Sequence, residues 1–250
     1  MSAYTAMTRA TYLAYVRDRT SVFFTFAFPL IFLVVFGLLF RGQSVDGGMA
    51  YINYTAPGVL AWGIGNAALF GVAFTLMHWR RDDLLRLIWR TPTPLPSVLL
   101  SRYAVALGTG LVQAVLFTGV ALLPVFGLHL SSSWPLGLPV LLFGVTAFVA
   151  IGLVVGSLAN TPEAVAAIAN CVMVPMAFLS GAFYPIDLMP GWLQALSRVL
   201  PLRYFVDGVS DAVAGRHGVG GPALACLGLA VFAALFGALA ARTFRWSNRT

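Results

Sequence analysis

Lysine is absent from this chain: all fifteen basic residues among its 250 are arginine. A phosphate-cradling loop of the GxxxxGK[ST] form needs its lysine to reach the terminal phosphates. That loop is therefore excluded, and any ATP-driven process involving this chain must take its hydrolysing subunit from another polypeptide. Cysteine is scarce as well. Cys171 and Cys226 are the only two, and both fall in apolar stretches. They read as packing residues, with no disulfide framework. The three histidines, His78, His129 and His217, lie in different loops, which leaves no cluster for a metal. No Ser-His-Asp or two-histidine constellation emerges either, so a membrane-embedded enzyme is disfavoured.

Charge is the third scarcity. The 23 Arg, Asp and Glu residues all lie outside six stretches, at 22–40, 56–77, 103–128, 136–159, 164–184 and 222–241. Each is 19 to 26 residues long, and a hydrocarbon core of roughly 30 Å needs about 20 apolar residues as a helix. The chain therefore reads as an all-α polytopic membrane protein with six transmembrane helices. The longest piece between spans, 185–221, is too short to bury a core of its own. A single transmembrane domain over 1–250 is expected, with no soluble catalytic module. No cleavable signal peptide is expected ahead of the first span, because residues 1–21 are polar and aromatic.

The net charge of +7 is distributed as an orientation signal rather than as a nucleic-acid surface. One side of the membrane holds Arg9, Arg17, Arg19, Arg80, Arg81, Arg86, Arg90, Arg102, Arg242, Arg245 and Arg249. The other holds only Arg41, Arg198, Arg203 and Arg216. Arginine favours the cytoplasm, so both termini are expected there, with the protein multi-pass in a bacterial inner (plasma) membrane.

Within the spans, Asn66, Gln113 and Asn170 are expected to satisfy one another or neighbouring hydroxyls across helix interfaces. Ionisable residues, which mark ion or proton paths, are absent from all six stretches. That excludes proton- or sodium-coupled carriers and leaves the energy source outside the chain. Gly152-x-x-x-Gly156 is a small-xxx-small spacing that lets helices approach closely. At 160–163, Thr161 is expected to cap a helix, with Pro162 in its first position and Glu163 in its first turn.

Three segments outside the spans carry pattern. Residues 3–20 interleave Tyr4, Met7, Tyr12, Leu13 and Val16 with Arg9, Arg17 and Arg19, which suits an interfacial amphipathic helix. Loop 78–97 places Asp82 and Asp83 early and Arg86 and Arg90 late, in keeping with the helix dipole. Leu84, Leu87 and Ile88 share one face of this short helix, and Pro92, Pro94 and Pro96 end it. It would either offer an apolar ridge to a partner or anchor at the headgroups. In 180–211, Trp192, Leu193, Leu196, Val199 and Leu200 share a helical face, Pro201 breaks the helix, and Phe205, Val209 and Ala212 resume on another. Such a pair forms either a re-entrant hairpin, buried in protein at membrane depth, or two helices lying flat on the outer leaflet.

The run from Leu179 to Asp207 resembles the signature of the type-2 ABC (ATP-binding-cassette) transporter permeases, in the branch of the daunorubicin exporter's membrane subunit. The matching residues are Ser180-Gly181, Phe183-Tyr184-Pro185, Met189-Pro190-Gly191-Trp192, Pro201-Leu202, Tyr204 and Asp207. The inner loop is similar to the family's, with Arg81-Asp82-Asp83-Leu84-Leu85-Arg86-Leu87 before Thr91-Pro92. It lacks the family's usual glycine and second glutamate.

This resemblance implies a permease that forms a homodimer or related heterodimer among membrane lipids and binds two cytoplasmic ABC ATPase subunits. ATP and Mg would sit on those partners, and no cofactor on this chain. Arg80, Arg81, Asp82, Asp83, Leu84, Leu87 and Ile88 would form the coupling helix against the ATPase. The hairpin carrying Ser180, Gly181, Phe183, Tyr184, Pro185, Pro190, Trp192, Pro201, Tyr204 and Asp207 would close the outer end of the path. The implied substrate is hydrophobic or amphipathic: a drug, lipid or lipid-linked compound. A polysaccharide or teichoic-acid exporter is the alternative within the superfamily, and a non-transporting membrane protein the alternative outside it.

Overall fold

The computed structural model describes residues 3–40, 42, 44–45, 49–84, 95–215 and 218–243. Nine helices carry these residues: α1 (Ala3–Arg17), α2 (Arg19–Leu39), α3 (Tyr51–Arg81), α4 (Leu95–Ala121), α5 (Gly137–Leu158), α6 (Pro162–Leu179), α7 (Gly191–Ser197), α8 (Pro201–Ala214) and α9 (Gly220–Thr243). Two-residue strands β1 (Ser44–Val45) and β2 (Met49–Ala50) pair antiparallel in the connection before α3. Six helices, α2 to α6 and α9, are long and apolar enough to cross a membrane.

The helix boundaries follow local chemistry, and those of two spans correct the sequence reading. The third span was expected at 103–128, after three loop prolines. Instead α4 starts at Leu95, with Pro96 in its first turn, where a missing N–H removes no helix hydrogen bond. Arg102 therefore sits about 10 Å along the helix axis rather than in a loop. The same helix stops at Ala121, ahead of Pro124. Gly127 adopts φ +67° there, and Leu128 N–H donates back to Ala121 O at 3.1 Å. The fifth span ends at Leu179 rather than 184, because Gly181 turns the chain with φ +82°.

The caps form as their residues dictate. Thr161 Oγ1 accepts from Ala164 N–H at 3.2 Å, and Pro162 opens α6. Asp18 divides α1 from α2, its carboxylate accepting from the Ser21 hydroxyl and from Ser21 N–H at 3.1 Å. Those bonds, the hydroxyl's first, hold the Asp18 carboxyl below the usual carboxylate range. The cap is thus at full strength above that range and is lost as pH falls through the depressed value. Asp18→Ala should loosen the first turn of α2 by about 0.5–2 kcal/mol. Amide hydrogen exchange at Ser21 and Val22, followed against pH, would read this directly.

The centre of the bundle is α5, with both α3 and α9 packed along it. The Gly152/Gly156 stripe explains the closeness of α3 and α5. A β-carbon at Gly152 would lie 2.6 Å from Leu69 O, and one at Gly156 2.7 Å from Ala73 O. Helix α8 inserts among α3, α5 and α9, burying Leu202, Phe205, Val206, Val209 and Ala212. The face expected from Phe205, Val209 and Ala212 is the face that packs.

Polar satisfaction inside the bundle departs from expectation. Tyr103 and Thr146 do pair hydroxyl to hydroxyl at 3.0 Å between α4 and α5. Gln113, buried against Gly63, has no partner for either amide atom, and Asn66 Oδ1 has none. Asn170 faces outward on α6.

Candidate functional site

The residues singled out in the sequence gather at the two opposite ends of the bundle. At one end, the chain leaves α6 through Ser180-Gly181. Ser180 is fully buried, and Gly181 takes the left-handed backbone that turns the chain. Tyr54, in the first turn of α3, donates its hydroxyl hydrogen to Gly181 O (3.1 Å) and lies 3.3 Å from Tyr184 O. Phe183 points into rings from three helices: Trp62 at 5.2 Å, Phe32 at 5.5 Å, Phe178 at 5.9 Å and Phe36 at 6.0 Å. Pro185 is buried before a short 3-10 turn, Ile186–Leu188. Pro190 O then accepts from Leu193 and Gln194 N–H at the start of α7.

Tyr184 and Trp192 remain exposed, Trp192 at 69%. Pro201 is buried as the first residue of α8. One turn further on, Arg203 Nε donates to Asp207 Oδ2 in an i,i+4 ion pair, and Tyr204 packs against Phe232 of α9 at 5.8 Å.

Between the 180–186 turn, α8 and the start of α9 lies a cavity of about 500 Å³. Of the residues expected here, Ser180, Gly181, Tyr204 and Asp207 line it; Phe183, Tyr184, Pro185, Pro190, Trp192 and Pro201 do not. Tyr54, Arg203 and Asp211 also line it, though sequence reasoning missed them. Asp211 had a signal: it follows Asp207 by four residues and so shares its helix face. Tyr54 had none, because only the fold brings it 127 positions along the chain to Gly181. The walls mix carboxylate, guanidinium, phenol and hydroxyl with the aliphatic Ile186, Val206 and Leu224. Such a lining suits an amphipathic molecule better than a bare ion or a purely apolar one.

At the opposite end, α3 finishes with Arg80 and Arg81. Arg80 was expected to face a partner, but it is 4% exposed and turned inward. Its Nη1 donates to Gly156 O (3.0 Å), to Ser157 O and to Ala159 O (3.3 Å), and Nη2 to Asn160 Oδ1 (3.5 Å). Arg80 thus caps the C-terminus of α5, where carbonyls lack helical partners and the dipole is negative. Ser157 also meets Thr243 of α9, oxygen to oxygen at 3.0 Å. Arg81, Asp82 and Leu84 are exposed, and Asp83 holds a left-handed φ of +52°. Leu87 and Ile88 lie outside the described residues.

Comparison with known proteins adds to this geometry. Residues 2–213 match the family model described as "ABC-2 type transporter". The chain is 29% identical to the daunorubicin resistance ABC transporter permease protein DrrB1 of Streptomyces coeruleorubidus, over 88% of this chain and 78% of that protein. It is 25% identical to the inner membrane transport permease YadH of Escherichia coli K12, over 76% and 73%. It is 31% identical to nodulation protein J of Rhizobium leguminosarum bv. trifolii, over 75% and 72%.

Proposed function

Because the chain belongs to the ABC-2 type transporter family, a family of multi-pass permease subunits served by a partner ATPase, we propose that it forms the translocation path of an ATP-driven exporter. The observation that carries this reading is the family match over residues 2–213, from α1 through all but the last residue of α8. The proposed cargo is a hydrophobic or amphipathic compound: a drug, a lipid or a lipid-linked molecule. The mixed lining of the 500 Å³ cavity supports that class. The whole chain acts as one transmembrane domain in the bacterial inner membrane, with both termini cytoplasmic. The eleven arginines on the side of the termini support this orientation.

The exposed Tyr12, Leu13 and Val16 on α1 support its lying in the interface. The burial of α8 among three helices supports a hairpin closing the outer end. A second permease chain completes the path. Separate ATPase subunits, which carry the ATP and Mg, act on the 80–90 segment and bias inward- and outward-facing arrangements. Arg81, Asp82, Asp83, Leu84, Leu87 and Ile88 supply the contact, while Arg80 supports it from within.

Leu84→Asp combined with Leu87→Asp tests the coupling. In proteoliposomes with the cognate ATPase, the double variant should insert normally and leave ATP hydrolysis in place. Transport should fall by about 5–150-fold, the range of ordinary coupling energies. Unchanged transport would remove the coupling assignment. Failure of any ATPase to co-purify with the detergent-solubilised protein would remove the exporter reading itself.

A further inference from the structure

The observed start of α4 moves Arg102 from a loop into a helix long and apolar enough to span a membrane, with two turns of helix on its N-terminal side. Its guanidinium stacks 4.9 Å from the Trp79 ring centroid. Its Nε is buried with no hydrogen-bond partner. Among the described residues the ion pair is Arg203 with Asp207, at the other end of the bundle, so no described carboxylate reaches Arg102. The side chain lines a cavity of about 350 Å³ between α3, α4 and α5, whose walls are mostly aliphatic (Val72, Leu76, Leu99, Leu100, Val149 and Leu153), with Thr75 and Tyr103 among them. Leu100, at 53% exposed, stands at the edge of the cavity and faces out of the bundle.

We propose that this cavity binds an anionic glycerophospholipid from the leaflet at the arginine-rich end of the bundle. Arg102 would hold the phosphate, and an acyl chain would lie along Leu99, Leu100 and Leu153. A guanidinium held in an apolar site calls for an anion, and its fork matches phosphate oxygens in a bidentate contact. Basic pockets between membrane helices suit lipid headgroups for this reason. The aliphatic walls select the source. A soluble anion would leave them bare, whereas a lipid covers them with its own chain. Trp79 and Arg102 stand on either side of the 82–94 segment, so a lipid here would bind at the root of both flanking helices. The inference concerns binding alone and stands whatever the chain transports.

Native mass spectrometry of the detergent-purified protein, titrated with phosphatidylglycerol, phosphatidylcholine or inorganic phosphate, decides the matter. One phosphatidylglycerol per chain should bind at least about tenfold more tightly than phosphatidylcholine. Arg102→Gln should abolish that preference, and Arg102→Lys should keep part of it. Leu100→Trp, which crowds the mouth of the cavity and leaves the guanidinium in place, should also lose the lipid. It decides the outcome if Arg102→Gln does not fold. Wild-type affinity in Arg102→Gln or Leu100→Trp would overturn the site. Displacement of the lipid by millimolar phosphate would overturn the lipid assignment in favour of a soluble anion.

Discussion

Leucine in place of Gly152 is expected to force α3 and α5 apart and to lower stability by at least about 1–3 kcal/mol, the usual cost of overpacking. The upper part of that range applies because the obstacle is backbone. A β-carbon at 152 meets Leu69 O at 2.6 Å, and a carbonyl within a helix cannot rotate away as a side chain can. Gly156→Leu meets Ala73 O and Leu76 one turn later, so the double variant should fail to yield a folded, monodisperse protein in detergent. Gly71 and Gly108 provide the control, since nothing lies within 4 Å of a β-carbon at either. Leucine there should change the unfolding midpoint little, within about 0.5 kcal/mol. Thermal unfolding of the four single variants, followed by loss of the monodisperse size-exclusion peak, separates these outcomes. Equal losses at positions 71 and 152 would show that the close crossing is not what the glycines secure.

Arg80→Ala should be the second large effect. Hydrogen bonds to a charged donor are each worth about 1.5–3 kcal/mol, and stranding buried acceptors adds their desolvation cost. Gly156 O, Ser157 O and Ala159 O would all lose a donor in a region where Ser157 and Ala159 are buried. A loss of about 3 kcal/mol or more is expected, with Arg80→Lys intermediate because one ammonium cannot reproduce the fork. The adjacent Arg81→Ala should stay within about 0.5 kcal/mol, since that side chain is exposed. Chemical denaturation in mixed micelles would rank the three. If the two arginines proved equivalent, the buried cap would carry no special weight.

This contrast between neighbours shows where sequence reasoning stops. Arg80 and Arg81 look alike in the chain, yet successive helical residues point about 100° apart, and only the position of α5 decides which one is swallowed. The spans themselves were legible because lipid tolerates neither charge nor unpaired backbone. How deeply each is buried was not. Helix α3 is less apolar than α2, yet it is far more buried. Its Gly58, Ala61, Gly65 and Ala68 form a stripe of small residues along one face that lets neighbours close in, and hydropathy does not register size.

The α8 face was legible because Phe205, Val209 and Ala212 keep the 3.6-residue period. The cavity beside it joins residues from Tyr54 to Ala225, a juxtaposition that no local pattern encodes. Helix starts were misjudged where proline serves as an opener rather than a stop, as at Pro96.

The rings around Phe183 have one further consequence. Tyr54 fastens the 180–185 turn with hydrogen bonds, but Phe183 holds it to α2, α3 and α6 by ring contact alone. Hydrocarbon chains wet an aromatic surface about as well as other rings do, because association within a membrane lacks the hydrophobic drive it has in water. A sideways parting of Phe183 from Trp62 would therefore break no hydrogen bond of the turn. Acyl chains would simply take the vacated places. This side of the turn is therefore expected to slide more readily than the side that Tyr54 fastens.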